Sequence, residues 1–284
     1  MIMIIVDRDR IESVAQMFKS IGIENVSTFE NIDPQYLSIM KAIAMCKSDN
    51  LIYAFYINAL VTYKLKTKGE YFWKKFTEFI VENCDKLKDV QQLLNLIKEF
   101  TYRYNNYAYE NKLKRIMKIG NCLDVLDYTT STHYLELARK TSECLKISYK
   151  YKTVVFSIKI VYYFHKAQGM RSILPFELPI PVDRRVTYIS FTSGMIDVVH
   201  QTLNKDMVSL IMKKADVIRD AWNSVATISH IPPLHIDAVL WYLGKYGYIN
   251  NRRSIIEEVQ KNLYIIDKKI VEKLVNELYF RLPE

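Results

Sequence analysis

Residues 152–169 read KTVVFSIKIVYYFHKAQG. With Tyr151 they outrun the roughly four to eight residues of a buried strand, so this apolar run is predicted to be a long helix that Gly169 stops. Ser157 and Lys159 interrupt its most apolar part, residues 154–164. No segment approaches the roughly 18–20 apolar residues needed to cross a bilayer.

Helices are predicted on both sides of it. Upstream, Pro34 suits the first position of a helix with Asp33 as its N-cap, running to about residue 47. Gly69 opens residues 70–81, where Phe72, Trp73, Phe76 and Phe79 recur at helical spacing. Residues 105–118 form a further helix, ended by Gly120, with Leu113, Ile116 and Met117 inward and a basic outer face. Ser131 and Thr132 are expected to cap residues 133–146. Downstream, the prolines of 175–181 exclude a continuous helix. Helices resume after Asp183, across 205–225, and at 234–246, which Pro232-Pro233 open and Gly247 ends. Two amphipathic helices, 254–263 and 268–280, follow. Seven Gly and seven Pro in 284 residues are too few for a β-sandwich or a Rossmann-type fold built on glycine turns. The predicted fold class is all-α.

Half of the residues are hydrophobic and 25% charged, enough to bury a sizeable core. The apolar run of residues 1–6, followed by Asp7 and Arg8, is too short for a signal peptide. Cys46, Cys84, Cys122 and Cys144 form no C-x-x-C pair and the histidines no H-E-x-x-H, so neither a disulfide framework nor a metal site is predicted. A soluble protein of a reducing compartment, the cytoplasm, is expected. Lys and Arg number 40 against 31 Asp and Glu, a net charge of +9 that points to a polyanion. The excess is local. Residues 140–166 hold six lysines against Glu143, and 101–118 hold five basic residues against Glu110, interleaved with Tyr102, Tyr104, Tyr107 and Tyr109. Such a surface suits phosphate contact and base stacking, with Lys112, Lys114, Arg115 and Arg184 as candidates for a DNA backbone. A chain merely rich in Lys and Tyr would look the same.

Three segments could carry chemistry. Lys152 falls in the first turn of the 152–169 helix, and Lys159, seven residues on, shares its face. The positive end of the helix and desolvation by Val154, Val155 and Phe156 both disfavour an ammonium there. A neutral amine is a nucleophile. The alternative is a lysine laid over apolar surface and paired with a carboxylate. In PIPVDRRV (179–186), Asp183 is either only the N-cap at the end of a rigid proline loop or also the carboxylate partner of Lys152. In IPPLHIDAVLWYLG (231–244), Asp237 and Trp241 lie four apart on one helical face. They are otherwise a surface aspartate and a core tryptophan.

Taken in order, KTVVFSIKI with YYFHKAQG, PIPVDRRV, Trp222 and IPPLHIDAVLWYLG resemble the archaeal 8-oxoguanine DNA glycosylases of the helix-hairpin-helix superfamily. GEYFWKKF (69–76) and the basic 106–118 segment extend the likeness, which runs from about residue 35 to 244. Each motif alone is weak, but the ordered set is specific. The resemblance implies a helix-hairpin-helix glycosylase fold of two helical subdomains with the active site in the cleft between them. Residues 1–284 would form one glycosylase unit, with the catalytic core at about 131–200. It further implies that Lys152 is a Schiff-base nucleophile, that Asp183 is its catalytic carboxylate, and that Gln35, Trp73, Phe156, Lys159, Asp237 and Trp241 form a base pocket.

The implied partner is DNA containing 8-oxoguanine, at the nucleoid, with no metal, organic cofactor or obligate protein partner. One departure stands out: residues 147–151, ISYKY, lack the glycine-rich turn that precedes the lysine in the common signature. An atypical hairpin is a trait of the archaeal family. The rival readings are a glycosylase for another damaged base and a non-catalytic helical nucleic-acid-binding protein.

Overall fold

The computed structural model describes residues 4–198, 205–263 and 266–284. In chain order the helices begin with α1 (Arg8–Thr28), α2 (Pro34–Met45), α3 (Leu51–Val61), α4 (Gly69–Glu82) and α5 (Val90–Tyr104). Then come α6 (Tyr109–Gly120), α7 (Asp124–Asp127), α8 (Tyr134–Leu145) and α9 (Lys152–Ala167). After the proline-bearing segment follow α10 (Arg184–Thr192), α11 (Lys205–Met212), α12 (Ala215–Ser229), α13 (Pro233–Leu243), α14 (Arg252–Asn262) and α15 (Lys268–Leu278). A small antiparallel ribbon of β1 (Ile4–Val6) and β2 (Ile196–Val198) sets Val6 opposite Ile196. Among the described residues no helix is long and apolar enough to cross a membrane.

The chain forms two compact units. One, Ile32–Leu178, holds α2 to α9; the other joins Met1–Asn31 to Pro179–Glu284 and holds α1, the ribbon and α10 to α15.

In the first unit α9 is enclosed by α2, α3 and α8. Every residue from Thr153 to His165 except Phe156 is buried, as a helix apolar on all sides requires. All eleven residues of α3 but Tyr53 are buried as well. Beside them Phe55, Phe72, Trp73, Phe76 and Phe100 pack with ring centroids 5.0–6.0 Å apart, so the aromatic spacing read in α4 marks core.

The other unit packs α1 against α12, α13 and α15. Trp222 is fully buried there and donates from Nε1 to Ser190 Oγ at 2.8 Å. Glu30 and His235, both buried, meet at 2.6 Å and fix the start of α13. Gly22 takes φ +78° and kinks α1, a conformation that glycine adopts without strain.

Several sequence expectations need correction. The apolar N-terminal run pairs as β1, so the chain has a two-strand ribbon besides its helices. The segment expected as one helix over 205–225 breaks into α11 and α12 at Lys213 and Lys214. In α6 the inward residues are Lys112, Ile116 and Ile119, while Met117 is exposed, so the helix is turned from the expected face. His133 occupies the N-cap position of α8 without a side-chain cap.

The cysteines are paired, Cys46 with Cys84 and Cys122 with Cys144, at Cα separations of 5.6 and 6.1 Å. Their sequence separations of 38 and 22 residues leave no local signature. What brings Cys46 to Cys84 is the packing of α2 on α4, just beyond whose ends they lie. In the loop-entropy picture closures of these lengths each stabilise the fold by roughly 3–4 kcal/mol.

Candidate active site

The two lysines of α9 have opposite environments. Lys152 is the first residue of the helix and is exposed; Thr153 behind it is buried. The desolvation expected at Lys152 therefore falls on Lys159, which is 2% exposed. Lys159 Nζ lies 3.6 Å from Asp33 Oδ2 and 5.3 Å from the Tyr163 ring centroid. An exposed primary amine at a helix start is reachable by a macromolecular substrate; a buried, ion-paired one is not a free nucleophile.

Asp33 is a functional candidate that sequence reasoning saw only as a helix cap. Its Oδ1 accepts from the Gln35 amide at 3.0 Å, and its Oδ2 accepts from Tyr163 Oη at 2.8 Å. The side-chain amide of Gln35 faces the same carboxylate, its nitrogen the atom placed to donate. Asp33 thus draws Gln35 and Lys159, two of the predicted base contacts, into one buried cluster. Their meeting depends on α2 packing against α9, which no spacing within either segment reports. Trp73 is 1% exposed and lies flat against Phe55; Phe156, half-buried, meets its edge at 6.0 Å. Of these two rings, Phe156 is the one with surface to offer.

The other unit carries Asp183, Asp237 and Trp241. Asp183 Oδ1 accepts from the amides of Arg185 and Val186 at 2.8 and 3.0 Å, the N-cap expected for it. Oδ2 takes no part in that cap. Asp237 is 3% exposed, and Trp241, one turn along α13, is half-buried. Arg185 lies against Trp241, with its guanidinium carbon 4.1 Å from the indole centroid.

The four cations proposed for a DNA backbone divide. Lys114 and Arg184 are exposed. Arg115 is half-buried and donates to Leu60 O and Thr153 Oγ1, both at 2.7 Å, so it braces the first turn of α9. Lys112 is not a surface cation at all. It is fully buried, and its Nζ donates to Asn105 O and Oδ1 at 2.9 and 2.5 Å. Spacing within 105–118 suggested a basic outer face, but the rotation of α6 turned Lys112 inward.

Burial, aided by the charge of Lys64, pulls the Lys112 pKa down to about 8. An unfolded lysine titrates near 10.4, so between these values the unfolded chain holds a proton that the folded chain has released. Folding then becomes more favourable as pH rises. Measured against Lys112→Met in thermal melts, the wild type should gain roughly 1–2 kcal/mol from pH 7 to 9.5. Parallel pH profiles for the two proteins would contradict this.

Known proteins resemble the chain along most of its length. The AGOG family model, described as N-glycosylase/DNA lyase, matches residues 15–277. An N-glycosylase/DNA lyase of Pyrobaculum aerophilum is 28% identical over 257 residues, covering 88% of this chain and 92% of the relative. One from Aeropyrum pernix is 27% identical over 245 residues, 83% of each chain. The crystal structure of an 8-oxoguanine DNA glycosylase from Pyrobaculum aerophilum, complexed with 8-oxoguanosine, superimposes with a TM-score of 0.74 at 25% identity. That match covers 98% of this chain and 100% of the other. With most of its length matched, this chain belongs to the AGOG family of N-glycosylase/DNA lyases.

Proposed function

We propose that this enzyme excises 8-oxoguanine from DNA and then cuts the strand, using Lys152 as the nucleophile and Asp183 as its carboxylate. The observation that carries the residue assignment is the exposed Lys152 at the head of a helix buried almost everywhere else. The Lys152 amine attacks C1′ of the extruded nucleoside, and the bond from C1′ to the base breaks with its electron pair leaving on the base. Asp183 takes up the proton that the amine loses and stabilises the cationic sugar in the transition state. The adduct then opens the sugar ring: the nitrogen lone pair forms the imine as the C1′–O4′ bond breaks and O4′ takes up a proton. The imine acidifies the hydrogen at C2′, whose removal expels the 3′ phosphate by β-elimination and cleaves the strand.

Extrusion of the base costs a few kcal/mol, offset by stacking and hydrogen bonds in a pocket. In this reading Phe156 and Trp241 supply aromatic surface, with Trp73 behind Phe156. Gln35, Lys159 and Asp237 supply polar contacts, organised in part by Asp33. DNA is the partner, and Lys114 and Arg184 are the cations assigned to its backbone. In this reading the protein works with the genome in the cytoplasm. The two disulfides fit that location in a thermophile, since intracellular disulfides are common in hyperthermophilic archaea and bacteria.

8-Oxoguanine differs from guanine in carrying an oxygen at C8 and a hydrogen on N7. An acceptor facing N7 would welcome the first base and meet a lone pair on the second, which costs roughly 1–3 kcal/mol. Asp237 is a buried acceptor suited to base donors. Asp237→Ala and Trp241→Ala should therefore lose 8-oxoguanine excision far more than cleavage of a preformed abasic site, measured in single turnovers at saturating enzyme. Equal losses on the two substrates would mean that these residues support only the fold or the nucleophile.

A further inference from the structure

We propose that Arg185 is a positioning residue that holds the Trp241 indole in place for base stacking; this rests on the reading of Trp241 as a base contact. The guanidinium makes two interactions with the same residue. Nη1 donates to the Trp241 carbonyl at 3.1 Å, and the guanidinium carbon stands 4.1 Å from the indole centroid. The contact is built closely. A Cβ on Gly244, three residues past Trp241, would lie 2.6 Å from the Arg185 Cβ and 3.3 Å from its Cα. Only a glycine lets the end of α13 approach the first turn of α10 so nearly. Arg185 thus ties the helix that Asp183 caps to the helix that carries Asp237 and Trp241.

The chemistry of the side chain fits this task. A planar, weakly hydrated guanidinium stacks on an aromatic face, whereas an ammonium is a hydrated point charge without a plane. With one face of the indole covered by Arg185, a flipped base would stack on the opposite face. A ring already fixed loses little freedom when the base arrives, the general advantage of preorganisation. The cap on Asp183 uses the backbone amide of Arg185, not its side chain. Changing the side chain therefore leaves the Asp183 cap in place, and the two roles can be separated.

The test compares Arg185→Met and Arg185→Lys with the wild type. Trp73 and Trp222 are 1% and 0% exposed, so acrylamide quenching of tryptophan fluorescence reports chiefly on Trp241. Both variants should show stronger quenching. Both should lose 8-oxoguanine excision in single turnovers by about tenfold or more, the scale on which misplacing a positioned group acts. Cleavage of abasic-site DNA should fall by no more than about threefold, since Asp183 and Lys152 keep their places. Unchanged quenching together with an unchanged ratio of excision to abasic cleavage would overturn the proposal. So would full recovery in Arg185→Lys, which keeps the charge but not the plane. If Arg185→Met folds poorly, the Lys variant carries the comparison alone. A Trp241→Ala enzyme that excises 8-oxoguanine like the wild type would overturn the base-pocket reading itself. If that enzyme is impaired while the Arg185 variants are not, only the role of Arg185 falls.

Discussion

Replacing Lys152 with Gln should abolish strand cleavage and lower base release by on the order of 10³-fold or more, the scale of removing a covalent nucleophile. The substitution is mild for the fold. Lys152 is exposed at the first position of α9, so its side chain has little packing to lose, and Gln is a good helix former. The melting temperature should stay close to that of the wild type, and DNA affinity should fall only slightly. The chemistry nevertheless has no substitute. Lys159 is buried and paired with Asp33, and Lys112 is buried against Asn105. A Lys152→Gln enzyme that still cut abasic DNA would move the nucleophile elsewhere.

Asp183→Asn should lower single-turnover rates on both substrates by about 10²–10⁴-fold, the range for loss of a positioned acid or base. Asn is as good an N-cap as Asp, and its side-chain oxygen can accept from the Arg185 and Val186 amides as Oδ1 does now. The variant therefore preserves α10 and removes only the negative charge and the ability to take a proton. Substrate affinity should change little, because the charge acts mainly as the transition state forms. A normal rate with normal stability would reduce Asp183 to a helix cap. Asp183→Ala provides the complement: it removes cap and charge together, and should add a loss of about 1 kcal/mol in stability.

The sequence made some of this legible and hid the rest for physical reasons. The helix 152–167 was readable because an apolar run of that length has few other structures open to it. The Asp33 and Asp183 caps were readable because proline and a short acidic side chain mark helix starts locally. The roles on α9 were harder. Spacing put Lys152 and Lys159 on one face, and the apolar neighbours of Lys152 suggested that it was the desolvated one, but Lys152 sits at the end that opens outward. The inward turn of Lys112 was hidden because the face a helix buries depends on its neighbours. The disulfides and the Asp33 cluster were hidden for a related cause, since each joins segments distant in the chain. Arg185 against Trp241 belongs to the same class, since the two are 56 positions apart. The N-terminal strand escaped notice because three residues carry too little alternation to be read alone.

The most direct test of the central claim is to locate the covalent bond itself. The enzyme is incubated with DNA containing 8-oxoguanine in the presence of borohydride, which reduces the imine to a stable amine, and the cross-linked protein is digested and sequenced by mass spectrometry. The expected result is a sugar adduct on the ε-amine of Lys152 and on no other amine. An adduct on Lys159, Lys150 or the chain terminus, or 8-oxoguanine release with no trapped species, would contradict the account.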